Sequence, residues 1–182
     1  CRAVRLQSRP SKNRWPGERS LSMRSIFRFW VVLALASLPA AAEEPRSLAV
    51  SVGMFNFNKT PSPVEAGLEY RHPTGVWKMA VVGGLYANAD GAVWVFGGLR
   101  RDFRLAERWW ITPAFGASLY SQGDSKNLGG PLEFRSAIEL GREFRNRTRL
   151  AFGIYHLSNA GIYYPNPGSN SLILTYSWPL GQ

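Results

Sequence analysis

The sequence predicts an all-β fold, an eight-stranded antiparallel transmembrane β-barrel of the outer-membrane kind, and three observations predict it. Beyond residue 42, apolar and polar side chains alternate with a period of two in about eight segments of roughly ten residues, each bounded by turn residues. No stretch there is long and apolar enough to cross a bilayer as a helix. The connections alternate between short and long, the asymmetry of a barrel with tight turns on one side of a membrane and loops on the other.

Residues 1–22 are rich in Arg, Ser and Pro, lack periodicity, and read as a leader with no part in the fold. Met23 opens a different pattern. Arg24 and Arg28 form a basic start, Phe29 to Leu38 an apolar run too short to span, and Ala40-Ala41-Ala42 a small-residue cleavage site. Together they make 23–42 a secretory signal peptide. The mature chain is expected to begin near Glu43 and to form a single barrel domain over 43–182. Its strands are expected at 47–57, 64–71, 76–88, 92–103, 108–120, 132–144, 149–157 and 171–180. Eight is a small but usual size for such a barrel, and closure is required because an open edge in lipid would leave backbone groups unpaired. With the N-terminus in the periplasm, the short turns are 72–75, 104–107 and 145–148. The opposite set is 58–63, 89–91, 121–131 and 158–170, and two of these are long.

The faces follow from alternation. In the last segment Leu172, Leu174, Tyr176 and Trp178 share one side and Ser171, Thr175 and Ser177 the other, with Ile173 as the exception. The segment 64–71 sets Val64, Ala66, Leu68 and Tyr70 against Glu65, Glu69 and Arg71. A membrane barrel turns the apolar set to lipid and the charges to a small lumen. A soluble lipocalin-like barrel does the reverse. Parity does not separate the two; the loop asymmetry and the aromatic-rich last strand favour the membrane. Glu139 and Glu143 fall on the luminal parity. Trp77, Trp94, Trp109 and Trp110 read as interfacial anchors.

The charge is less informative than it looks. The chain has 22 Lys and Arg against 12 Asp and Glu, a net of +10. Residues 1–42 hold eight of the bases and one of the acids, so the rest carries only +3. That removes most of the case for nucleic acid as a partner. The single cysteine, Cys1, lies in the leader, which leaves the exported part without disulfide or thiol chemistry. There is no CxxC, HExxH or Gly-rich phosphate loop, so neither a metal nor another cofactor is expected. His72, before Pro73, sits in a turn. Lys126, beside Asp124 in the long loop, reads as a solvated cation that could meet phosphate. Arg145, Arg147 and Arg149 surround a short turn and read as charges ending strands in water.

Chemistry points to Tyr155-His156-Leu157-Ser158-Asn159-Ala160-Gly161. His156 and Ser158, two apart on a strand, share a face with Leu150, Phe152 and Ile154, and so would meet lipid near the outer end of the seventh strand. A polar pair there costs free energy unless it has partners. A Ser becomes a nucleophile when a neighbouring base takes its proton. Asn159 and the Gly161 N–H could donate to an oxyanion. A structural His bonded to a neighbour and a Ser in a turn fit the same residues.

The run His156-Leu157-Ser158-Asn159-Ala160-Gly161, a short spacer, then Asn166-Pro167-Gly168 and an alternating last strand resembles the lipid A 3-O-deacylase family, PagL. The resemblance implies an eight-stranded barrel in the outer membrane of a Gram-negative-type bacterium. It implies lipopolysaccharide as substrate, with loss of the ester-linked acyl chain at the 3-position of lipid A. It implies Ser158 as nucleophile, His156 as general base, and Asn159 and Gly161 as the oxyanion hole. A homodimer is compatible with such a barrel. One position departs from the pattern: the family's acidic residue, fourteen after the His, is here Asn170, on the parity of Leu172 and Leu174. An Asn can orient an imidazole through its amide oxygen but supplies no charge to imidazolium. Slower catalysis, or a non-catalytic barrel with a structural or adhesive role, follows from that departure.

Overall fold

The computed structural model describes residues 45–181, so the expected leader and signal peptide lie outside the described residues. The strands are β1 (Ser47–Met54), β2 (Val64–Pro73), β3 (Met79–Asn88), β4 (Val93–Arg101), β5 (Phe103–Ala106), β6 (Trp109–Ser121), β7 (Leu132–Glu143), β8 (Arg149–Ser158) and β9 (Ser169–Pro179). They form one sheet in the order β4-β3-β2-β1-β9-β8-β7-β6-β5, and β4 also pairs with β6. Only Asp102 separates β4 from β5, and both lie along β6, so they act as one kinked stave and the cylinder has eight. The first and last strands pair antiparallel, Ser47 opposite Pro179 and Met54 opposite Leu172, which leaves no edge facing lipid.

The strands depart from the expected bounds where local geometry intervenes. The third begins at Met79 because Gly75, Trp77 and Lys78 take left-handed backbone angles in the turn before it. The fourth expected strand is cut at Asp102, whose carboxylate points inward to Thr112 Oγ1 at 2.6 Å and to the Arg149 guanidinium. The last strand starts at Ser169, so Asn170 is part of the wall.

The orientation is that of a membrane barrel and opposite to a lipocalin-like one. Val50, Val52, Leu68, Leu85, Val95, Phe115, Ile138, Phe152 and Leu174 are exposed on the outside, while Glu65, Glu69, Arg71, Arg100, Arg135 and Glu139 are buried within. The interior has two layers. Toward the short turns, charges neutralise one another: Arg71 bonds Glu69 at 2.7 Å, and Arg100 bonds Glu139 at 3.3 Å. Glu139 also accepts from the Tyr155 hydroxyl at 2.6 Å, and Glu69 from the Tyr86 hydroxyl at 2.8 Å. Toward the long loops, Phe55, Trp94, Tyr120, Leu128, Leu157 and Ile173 form an apolar plug, which explains why Ile173 breaks the alternation of its strand. The Arg135 guanidinium joins the layers, lying over the rings of Tyr86, Phe96 and Tyr155 at 4.2–4.6 Å. Gly67 makes room for this packing: a Cβ there would overlap the Tyr86 ring.

Two of the four tryptophans read as anchors are not at the surface. Trp94 and Trp110 are 3% and 4% exposed and face the lumen; Trp94 packs on Phe55, Tyr86 and Tyr120, and Trp110 lies under the guanidinia of Arg104 and Arg149. Their parity is that of the buried residues of β4 and β6, whereas Trp77 and Trp109 are exposed as expected. Arg149 is likewise no surface charge. It turns inward to Asp102 and to Glu143, the latter at 2.9 Å.

Candidate active site

The outward positions in the half of the wall nearest the long loops are apolar on every strand but a few. Apart from Ser121 at the end of β6, the polar side chains there, among the described residues, are Ser136, His156, Ser158 and Asn170. They lie on adjacent strands in one patch. Alternation along β8 turns His156 and Ser158 outward together, between the buried Tyr155, Leu157 and Asn159. The strand register then sets Asn170 of β9 directly beside His156. The two side chains meet, with His156 Nδ1 and Asn170 Oδ1 2.8 Å apart. Since the amide oxygen accepts, Nδ1 carries the proton and Nε2 is left as the basic nitrogen.

Gly168 shapes the other side of the imidazole. Its φ is 57°, and a Cβ there would stand 2.9 Å from His156 Cε1 and 3.4 Å from Nε2. A side chain at this position would occupy the space of the ring. Ser158 Oγ makes no hydrogen bond to His156 among the described residues. In enzymes without substrate such bonds are often long and tighten when the substrate binds.

Asn159, fully buried, organises the loop that follows. Its Nδ2 donates to the carbonyls of Leu128 at 2.8 Å and Pro165 at 3.3 Å, and its Oδ1 accepts from the Gly161 N–H at 2.9 Å. Its own N–H donates to Asn166 Oδ1 at 3.1 Å. The donors expected to form an oxyanion hole at Asn159 and Gly161 are therefore engaged inside the loop in this conformation. The same bonds tie 159–168 to the β6–β7 loop, where Gly129 and Gly130 leave no space for a side chain against Pro165 and Tyr163.

The loop carrying Lys126 is also built in. The ammonium, expected to be solvated, is half-buried and donates to Asn56 Oδ1 at 2.9 Å. Burial, together with the neighbouring Lys59 charge, holds it below the usual lysine range. From the next residue, the Phe57 N–H donates to the carbonyl of Asn170 at 3.0 Å, so the β1–β2 loop braces the backbone of the residue that holds the imidazole.

Below His156 the outer wall has a groove of about 420 Å³ lined by Ser136, Ala137, Ile138, Ile154 and His156. Ser136 belongs to this patch and was not visible in the sequence. It is twenty residues from His156 and is brought opposite it only by the β7–β8 register. No group of His, Cys, Asp and Glu that could hold a metal ion occurs among the described residues.

Residues 64–179, more than half of the chain, match the family model described as Lipid A 3-O-deacylase (PagL). A lipid A deacylase PagL of Bordetella bronchiseptica is 35% identical over 74 residues, a match that takes in 40% of this chain and 42% of that protein. The chain thus matches less than half the length of this curated relative. The crystal structure of the outer membrane enzyme PagL superposes with a TM-score of 0.63 at 21% identity, over 74% of this chain and 99% of that one. A de novo designed transmembrane β-barrel superposes with a TM-score of 0.57 at 8% identity, over 77% and 98% of the two chains. At these identities, both structural matches speak for the eight-staved barrel alone.

Proposed function

The chain belongs to the Lipid A 3-O-deacylase (PagL) family, and we propose that it is an outer-membrane ester hydrolase that removes the acyl chain at the 3-position of lipid A, with Ser158 as nucleophile and His156 as base. The observation that carries this reading is the His156–Asn170 contact on the lipid-facing wall, 2.8 Å long, which leaves Nε2 as a base two residues from a hydroxyl on the same face. A lipid diffusing in the outer leaflet reaches this patch laterally and lays its acyl chain along the apolar wall by Ile154 and Phe152. His156 Nε2 takes the Ser158 proton as Oγ attacks the ester carbonyl. The imidazolium then returns that proton to the departing sugar oxygen, which leaves an acyl-enzyme for water to hydrolyse. For the Gly161 N–H to stabilise the oxyanion, its 2.9 Å bond to Asn159 Oδ1 must open as substrate enters.

Mass spectrometry of lipid A from cells producing the protein or its Ser158→Ala form tests this. The expected result is loss of one ester-linked chain with the parent and retention with the variant. Fully acylated lipid A in both removes the enzymatic reading. The second reading, a barrel of the same fold without catalysis, is favoured by Asn170 at the position of the family's acid and by the absence of a Ser158–His156 bond among the described residues.

A further inference from the structure

A hydrolase whose site faces lipid must bring water to its own acyl-enzyme. We propose that Ser136 is the residue that holds this water, a positioning residue beside the imidazole; the inference rests on the Ser158–His156 reading above. Three observations carry it. Ser136, His156 and Asn170 form one row across β7, β8 and β9, each directly opposite the next in the strand register. The remaining outward positions of β7 toward the loops are Leu132, Phe134 and Ile138, so the hydroxyl interrupts an apolar face at the rung of the base. Ser136 is half-buried and its hydroxyl forms no hydrogen bond within the protein among the described residues, so it is open to a partner from outside the chain.

Geometry favours water as that partner. Side chains directly opposite on neighbouring strands have Cβ atoms about 5 Å apart, a gap that one water bridges. The groove at this rung is about 420 Å³ and includes both Ser136 and His156, whereas a water needs roughly 30 Å³. Asn170 meets His156 at Nδ1 and the Gly168 turn lies beside Cε1 and Nε2, while the His156 side chain lines the groove together with Ser136. In the deacylation step the water oxygen bonds the acyl carbon while His156 Nε2 takes a water proton. Collapse of the tetrahedral intermediate breaks the bond to Ser158 Oγ, which recovers the proton from the imidazolium, and the fatty acid leaves. The Ser136 hydroxyl accepts the second water hydrogen and so aims the lone pair.

The experiment follows the refolded full barrel in detergent with lipopolysaccharide as substrate, comparing the parent, Ser136→Ala and Ser136→Thr. Fatty acid release and the mass of the acid-quenched protein are measured together. In Ser136→Ala, steady-state release falls about tenfold, the size expected for one lost hydrogen bond to a reacting group. Protein carrying one acyl chain accumulates, and hydroxylamine, which needs no held water, restores turnover as hydroxamate. Ser136→Thr keeps the hydroxyl and stays near the parent. Slower release without acyl-enzyme, or unchanged release, overturns the inference. A parent protein that releases no fatty acid fails the preceding proposal instead, so the two failures are distinguishable.

Discussion

At the scale of single residues, the proposed mechanism makes His156 and its partner decide the rate. Asn170 accepts from Nδ1 and so selects the tautomer in which Nε2 is the base, but it brings no negative charge to the imidazolium that forms during attack. In one serine protease, replacing the triad Asp by Asn slows turnover by about 10⁴-fold through the wrong tautomer, a fault that acceptance from Nδ1 avoids here. What the side chain lacks is charge, which a carboxylate at the same position would supply. Asn170→Glu is expected to speed fatty acid release from lipopolysaccharide about tenfold or more, and Asn170→Leu to abolish it. Initial rates in detergent micelles check both. If Asn170→Glu is no faster and Asn170→Leu is no slower, the contact has no part in chemistry. A barrel inert as found but active with Asn170→Glu is a decayed enzyme, the outcome that the second reading requires.

At the scale of elements, the β9 entry and the 159–168 loop present the ring. Gly168→Ala would set a Cβ 2.9 Å from His156 Cε1 at a φ of 57°, where a side chain costs about 1 kcal/mol on its own. The expected result is near-complete loss of deacylation in a protein that still shows the folded-barrel mobility on unheated gels; full activity would remove the cradle from the mechanism. Much of this element was legible in advance. The period-two pattern fixed which side of β8 His156 and Ser158 occupy, and the same parity placed Asn170 with them. What stayed hidden depends on contacts distant in sequence. Asn159 reads as a donor to substrate in isolation, yet its amide serves Leu128, 31 residues away. Ser136 is one serine among many until the register sets it against His156. Trp94 and Trp110 follow the alternation of their strands, and a preference of tryptophan for membrane interfaces was the wrong guide for side chains that pack in a lumen this narrow. The Asp102 kink, a one-residue break, leaves no mark in a ten-residue period.

At the scale of the whole molecule, the proposed mechanism puts stability and activity on opposite faces of the same strands. Along β8, Tyr155 points in and His156 points out, so the lumen can hold its charge network without touching the lipid-facing chemistry. Glu139 is the centre of that network, accepting from Tyr155 at 2.6 Å and Arg100 at 3.3 Å with Arg71 at 3.9 Å. Glu139→Ala removes one carboxylate from a buried network in which Arg71 keeps Glu69 and Arg100 keeps Asp102, a change expected to cost about 3 kcal/mol. Glu139→Gln keeps the volume and the hydrogen-bond acceptor for Tyr155, and should recover part of that loss. Urea titrations of the refolded barrel, read as the shift between folded and unfolded gel mobility, give the midpoints. The fraction of the Glu139→Gln variant that does fold should deacylate at the parental rate, because the substitution lies across the sheet from Ser158. A Glu139→Gln protein with an unchanged midpoint and lost activity would mean that the lumen acts on the reaction directly, and that the two faces of the wall are not independent.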